Sequence, residues 1–89
     1  MRIIKKKTTA NYFEKIKTGE KDFDVRLNEF PCSPGDILIL KEWDPKNRKY
    51  TGRVMKKRVN FVLKTKTLEK FWGKSEIDKH GFLVIGFKK

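Results

Sequence analysis

A short charged segment holds the residue types best suited to binding a ligand or moving a proton. It covers residues 19–26, with the sequence GEKDFDVR. Side chains alternate along a strand, so Asp24 and Arg26 lie on one face, about 7 Å apart. A carboxylate beside a guanidinium pairs with it and fixes both side chains. Lys21 precedes them and can lean over the same area. We therefore predict a Lys21/Asp24/Arg26 cluster where helix meets sheet, the alternative being an exposed salt bridge without function.

Other chemistries lack the residues they need. One cysteine, Cys32, and one histidine, His80, show no metal-ligand spacing, and no glycine-rich phosphate loop is present. We expect no metal and no cofactor, and we lean against an enzyme. If the protein is an enzyme, Lys21 and Asp24 are the candidates for the general acid and base.

The charge is distributed unevenly. Of 89 residues, 23 are Lys or Arg and 11 are Asp or Glu, a net charge of +12. Residues 1–45 hold nine basic and eight acidic residues, whereas residues 46–89 hold fourteen and three. A concentrated basic excess favours a polyanionic partner, although a solvated lysine-rich surface is the alternative. In this half Tyr50 can stack on a base, while Arg53, Lys56 and Arg58 can contact phosphates.

The first half of the chain predicts one helix among strands. Residues 2–7 form a strand, and Thr8 or Thr9 can cap a helix that carries Tyr12, Phe13 and Ile16 on one face. Gly19 suits the left-handed C-terminal position of that helix. Alternation over residues 22–28 indicates a half-buried strand, and the apolar run 37–40 a central strand.

The second half predicts further strands. Residues 50–63 form a long strand or a bent pair, in which Gly52 marks a bulge or a close approach of the backbone. Residues 68–72 form a helical turn, residues 73–80 a loop, and residues 82–87 a last buried strand. The expected fold of the single domain, residues 1–89, is mainly β with one capping helix, a small barrel of about five strands.

The apolar runs exclude a membrane span. The longest, residues 37–40 and 82–87, are far below the roughly 20 residues that a spanning helix needs. No signal-peptide pattern follows the basic residues 5–7. With a single cysteine, which excludes an internal disulfide, these features favour a cytoplasmic protein with no membrane partner.

Several ordered motifs resemble the ASCH (activating signal cointegrator homology) superfamily, which has a PUA-like fold. The pattern Gly-x-Lys-x-x-Asp-x-Arg at residues 19–26 is similar to the Gly-x-Lys-x-x-Glu-x-Arg signature of that superfamily. A branch of small bacterial and phage proteins of unassigned function also shares the motifs at residues 12–13, 35–44, 50–53 and 81–85. The chain departs from the signature at Asp24, which is one methylene shorter than glutamate.

The resemblance implies a barrel with a cleft between barrel and helix that binds RNA. It points to single-stranded or modified RNA, or a nucleotide, near Lys21, Asp24 and Arg26. Two alternatives stay open. One is a small hydrolase acting on a modified nucleoside or RNA, although Asp24 stands where the related amidohydrolases have a threonine. The other is a module whose basic face binds an acidic protein.

Overall fold

The computed structural model describes residues 1–87 as a three-stranded sheet with short helices. In chain order the elements are β1 (Ile3–Thr9), α1 (Ala10–Lys17), β2 (Ile37–Asp44), β3 (Lys49–Arg58), a 3-10 helix (Thr65–Lys70) and α2 (Lys74–His80). The predicted first strand and first helix are confirmed to within two residues.

The sheet is open and mixed, in the order β1-β2-β3. Strands β1 and β2 are parallel, with Ile3 beside Ile37 and Thr9 beside Trp43. Strand β3 returns antiparallel to β2. A parallel pair needs a long connection, and α1 with residues 18–36 supplies it. As a result β2 is the central strand, as predicted, and both β1 and β3 are edges.

The core lies between α1 and one face of this sheet. Phe13 and Ile16 of α1 pack with Leu40 of β2, and Leu38 and Met55 pack against them. Phe13 and Leu40 are each only 2% exposed. Tyr12 was expected on the same helix face, but it is 51% exposed and does not join this core.

Two glycines adopt the backbone conformations that the sequence predicts. Gly19 follows α1 with φ 85°, and its N–H donates to the carbonyl of Ile16. Gly52 has φ 94° where the β2–β3 register shifts, between Lys41 and Trp43. Three residues of β3 there oppose Glu42 alone, so the predicted bulge at Gly52 is confirmed.

The predicted five-stranded, PUA-like barrel is wrong. Residues 22–28 form no strand, and Val25 and Leu27 are 66% and 76% exposed. Among residues 1–87, the only hydrogen bond that joins a backbone group of this segment to another backbone group is a local one, from the N–H of Glu29 to the carbonyl of Leu27. The segment is held to β1 by the side chain of Arg26 instead. Apolar alternation predicted a strand, but the chain makes no ladder of hydrogen bonds here.

The C-terminal half also departs from the prediction. Residues 82–87 form no strand and stay exposed, with Leu83 at 84%. Strand β3 ends at Arg58 rather than continuing to residue 63. Residues 74–80, predicted as a loop, form α2. Without strands at residues 22–28 and 82–87 the sheet cannot close, which leaves a mixed three-stranded sheet.

No helix in the described part of the chain is long and apolar enough to cross a membrane.

Candidate functional site

A cleft of about 490 Å³ lies at the β1 edge of the sheet. Its walls are the end of β1 (residues 7–9), Tyr12 of α1, and the extended segment that follows the helix (residues 21 and 23–26). We call it the edge cleft. The three residues of the predicted cluster, Lys21, Asp24 and Arg26, all line it.

The Asp24 carboxylate lies between two cations. Its Oδ2 accepts a 2.8 Å hydrogen bond from Nε of Arg26, and its Oδ1 is 3.6 Å from Nζ of Lys21. The three side chains are partly shielded from solvent, with exposures of 19% for Asp24, 15% for Lys21 and 28% for Arg26. The contact with Arg26 is a close charge-assisted bond, whereas the contact with Lys21 is loose.

Arg26 attaches its segment to the sheet. Its two terminal nitrogens donate to the carbonyl of Lys7 at 2.8 Å and to Oγ1 of Thr8 at 2.9 Å. Thr8 is only 4% exposed, so this bond satisfies a buried hydroxyl. Three of the five N–H groups of Arg26 are used in this way. Arg26 therefore positions Asp24, with two N–H groups left for a ligand.

Lys21 supplies the second cation of the edge cleft. Its backbone N–H donates to the carbonyl of Lys15, which fixes the chain where it leaves α1. Its Nζ lies 4.5 Å from the ring centroid of Tyr12 and 5.2 Å from that of Phe23. An ammonium has three donors, and the carboxylate at 3.6 Å holds at most one. The ammonium, the aromatic rings and the Asp24 carboxylate thus border one space.

Arg53 does not join the other predicted phosphate-binding residues. Its guanidinium lies on the α1 side of the sheet, 3.4 Å from Oε2 of Glu42, 3.2 Å from Oε2 of Glu14 and 5.0 Å from the Phe13 ring centroid. Oε1 of Glu42 also accepts a 2.6 Å hydrogen bond from Oγ1 of Thr51. These contacts brace the bulge against the helix.

Tyr50, Lys56 and Arg58 lie on the opposite side of the sheet. Lys56 pairs with Ile39 and Arg58 with Ile37, positions that alternate with the Leu38 and Leu40 side chains facing α1. Tyr50 pairs with Trp43, and their rings meet edge to face at 5.0 Å. The structure therefore brings together Lys21, Asp24 and Arg26, and separates them from Tyr50, Lys56 and Arg58.

Sequence reasoning missed three residues that shape these sites. Thr8 was considered only as a helix cap, yet it accepts from Arg26, and Thr9 occupies the cap position without a side-chain bond. Tyr12 was placed on one apolar face of the helix with Phe13 and Ile16, but it forms a wall of the edge cleft. Glu42, 5% exposed, is a buried carboxylate in an apolar strand, and that placement was a signal that it needed a cationic partner.

Among residues 1–87, no group of three or more His, Cys, Asp or Glu side chains could hold a metal ion.

The fold and the edge cleft define a small α+β domain with an open mixed sheet and a cleft lined by charged side chains at one sheet edge. Residues 4–74 match the family described as "Domain of unknown function (DUF3850)", so the chain belongs to that family. Its description names no activity. No curated protein and no solved structure matches the chain significantly.

Proposed function

We propose that the protein binds RNA, taking a nucleotide of a single strand into the edge cleft. The observation that carries this proposal is the convergence of the Lys21 ammonium, the Asp24 carboxylate and the Tyr12 ring on one cleft of about 490 Å³. The sequence resemblance to ASCH proteins, in which this cluster is the proposed RNA site, supports the same reading.

Each side chain of the edge cleft has a chemical role in this proposal. Lys21 contacts a phosphate or the acceptor edge of a base. Asp24, whose Oδ1 has only a 3.6 Å cationic neighbour, accepts from the exocyclic amine of a base. Tyr12, half exposed at the cleft wall, offers a ring for stacking. Arg26 holds Asp24 in position.

The net charge of +12 supports a polyanionic ligand over a neutral one. It raises the local concentration of RNA near the protein and speeds the encounter. It does not supply selectivity, because a diffuse basic surface attracts any polyanion. We assign selectivity to the edge cleft, which lies in the nearly neutral half of the chain.

The test is a titration of a labelled single-stranded RNA of about ten nucleotides, at about 50 mM and about 200 mM salt. We expect saturable binding that weakens at the higher salt, with a slope of about 0.7 for each phosphate contact. Binding that is absent at low salt, or that is independent of salt, contradicts the proposal.

Lys21→Ala and Lys79→Ala form a matched pair, since each removes one positive charge. Lys21 lines the edge cleft, whereas Lys79 lies exposed on α2. We expect Lys21→Ala to weaken binding about tenfold, which corresponds to the loss of one charged hydrogen bond, and Lys79→Ala about twofold or less. Equal effects would mean that charge alone attracts the RNA. Shortening of the RNA by wild type but not by Lys21→Ala would favour the hydrolase alternative.

A further inference from the structure

The sheet face opposite α1 is basic and open. Because side chains alternate, the odd-numbered residues of β1 and β2 project there, together with the residues of β3 that pair with them. We call it the open face. Its positions are Ile3, Lys5, Lys7, Thr9, Ile37, Ile39, Lys41, Trp43, Tyr50, Val54, Lys56 and Arg58.

None of these twelve positions is buried, whereas the α1 side holds the core. Ile3 is 62% exposed and Val54 is 58% exposed, although both are apolar residues of a sheet. The open face is therefore accessible over its whole width within the described part of the chain.

The charges on the open face are all of one sign. Five of its residues are cationic and none is acidic: Lys5, Lys7, Lys41, Lys56 and Arg58. None of the five has a carboxylate within 4 Å among residues 1–87. The two carboxylates of β2 have other partners, since Glu42 contacts Thr51 and Arg53 on the α1 side and Asp44 accepts from Lys46 and Asn47 in the β2–β3 turn. The open face is complementary to a polyanion, since none of its twelve named residues carries a negative charge.

One end of the open face adds aromatic rings to these charges. Tyr50 is 47% exposed and packs edge to face against Trp43. Nζ of Lys41 lies 4.5 Å from the Tyr50 ring centroid, and Nζ of Lys7 lies 4.3 Å from that of Trp43. Each ammonium lies over the ring that it contacts, so a base that stacks on that face displaces the lysine, which then lies within reach of the phosphate of the same nucleotide. Aromatic platforms beside cations are how proteins hold single strands without sequence preference.

Lys7 connects the open face to the edge cleft. Its side chain lies over Trp43, while its carbonyl accepts from Arg26 and the residue itself lines the edge cleft. A single-stranded nucleic acid with a base stacked on Trp43 therefore has to cross only one residue of β1, Lys7, to reach the edge cleft. This continuity favours one extended ligand over two unrelated ones.

We propose that the open face binds a single strand of nucleic acid that continues from the edge cleft, past Lys7, over Trp43 and Tyr50, towards Lys56 and Arg58. This inference rests on the proposed function for the nucleotide held in the edge cleft. It goes further by assigning a second surface, on the other side of the sheet, to the neighbouring nucleotides. An acidic protein, the other ligand that a basic face attracts, would not need the half-buried Trp43 ring or the exposed Tyr50 ring.

The test uses Trp43 as a reporter. The chain has two tryptophans, so Trp72→Phe leaves Trp43 alone. We expect a single-stranded RNA of about eight nucleotides to quench Trp43 emission on binding, and a blunt RNA duplex to bind without comparable quenching, because paired bases cannot stack on the ring. A single strand that binds with no quenching, or a polyglutamate peptide that competes it off and binds more tightly, overturns the proposal.

A charge comparison gives an independent readout. In the same background, Lys56→Ala with Arg58→Ala removes two cations of the open face, and Lys66→Ala with Lys70→Ala removes two from the 3-10 helix. We expect the first pair to weaken binding of the eight-nucleotide strand at least tenfold and the second less than threefold. Equal losses overturn the proposal.

The two proposals fail separately in this design. If both proposals hold, the affinity for a single nucleoside monophosphate falls in Lys21→Ala and is unchanged in the Lys56→Ala/Arg58→Ala variant. If the Lys56→Ala/Arg58→Ala variant loses affinity for the eight-nucleotide strand while the protein binds no monophosphate, the open-face proposal is supported and the edge-cleft proposal is contradicted. If the monophosphate binds and requires Lys21, but the eight-nucleotide strand binds no more tightly than the monophosphate, only the open-face proposal is contradicted.

Discussion

The Nε–H of Arg26 donates a 2.8 Å hydrogen bond to Oδ2 of Asp24 while the other nitrogens of the same guanidinium bind β1. One side chain thus joins an extended segment to the sheet edge and orients the acidic group of the edge cleft. The segment makes no strand ladder of its own, so its position depends on this guanidinium.

Arg26→Ala is expected to lower the free energy of unfolding by about 1–3 kcal/mol, because it removes three hydrogen bonds, one of them to a carboxylate. Arg26→Lys should recover less than half of that loss, since an ammonium cannot bond Asp24, Lys7 and Thr8 in a planar fork. Urea denaturation of the three proteins measures the difference. If Arg26→Lys is as stable as wild type, the planar guanidinium is not what attaches this segment to β1.

Glu42 and Glu14 offer a matched comparison, because both contact Arg53. The Glu42 side chain is 6% exposed and also accepts from Thr51, whereas the Glu14 side chain is 55% exposed. Glu42→Ala should destabilise by about 1–3 kcal/mol and Glu14→Ala by no more than about 0.5 kcal/mol. Equal losses in thermal or chemical denaturation would show that the bulge does not depend on its buried carboxylate.

Asp36 makes stability depend on acid pH. Hydrogen bonds from the backbone N–H groups of Arg2 and Ser33, together with the Arg2 guanidinium, hold the pKa of this carboxyl below its ordinary 3.8, against burial, which raises it. A lowered folded-state pKa contributes stability that is complete above 3.8 and is lost as the pH falls through the folded value. Stability should therefore fall in that acid range.

Asp36→Asn tests this linkage. The variant should be less stable than wild type at pH 7, and the difference should shrink as the pH falls below 3.8. Arg2→Ala should keep most of the pH dependence, because the backbone N–H groups are the larger cause. Denaturation at a series of pH values across this range measures the free energy of unfolding of each variant. A stability difference between wild type and Asp36→Asn that does not change with pH would contradict the linkage.

Gly86 lies against the segment that carries the edge cleft. A Cβ at this position would stand 2.8 Å from Oδ1 of Asp22 and 3.1 Å from Cδ1 of Phe23, whereas a Cβ at Gly73 would meet nothing within 4 Å. Gly86→Ala should therefore cost about 1 kcal/mol and shift the amide NMR signals of Phe23 and Asp24. Gly73→Ala should leave those signals in place. Unchanged signals in Gly86→Ala would show that residue 86 does not pack there.

Local signals predicted β1, α1 and the bulge in β3 well. The apolar pair Phe13 and Ile16, followed by Gly19, placed α1 and its end, and Gly52 marked the bulge. Those features depend on neighbours in sequence. The barrel was wrong because apolar alternation shows which face a strand would bury, not whether a partner strand forms hydrogen bonds to it. Val25 and Leu27 had the pattern but lacked the partner.

The sequence predicted which residues form the Lys21/Asp24/Arg26 cluster, but it did not predict the contacts that hold them together. The prediction placed Lys21, Asp24 and Arg26 together by strand alternation, whereas the structure brings them into one cleft without a strand, through the side-chain bonds of Arg26. The sequence could not show that the guanidinium of Arg26 would donate to the carbonyl of Lys7 and to the hydroxyl of Thr8, because these partners lie 19 and 18 residues away in the chain. The α2 helix was missed because, apart from the half-buried Ile77, it shows no apolar period.

The most direct measurement is an NMR titration of the isotope-labelled protein with a short single-stranded RNA. Binding in the edge cleft predicts saturable shifts at Tyr12, Lys21, Phe23 and Asp24, with the amides of residues 74–80 unmoved. Shifts confined to residues 74–80, or shifts that never saturate, would contradict the claim that the Lys21/Asp24/Arg26 cluster receives the nucleotide.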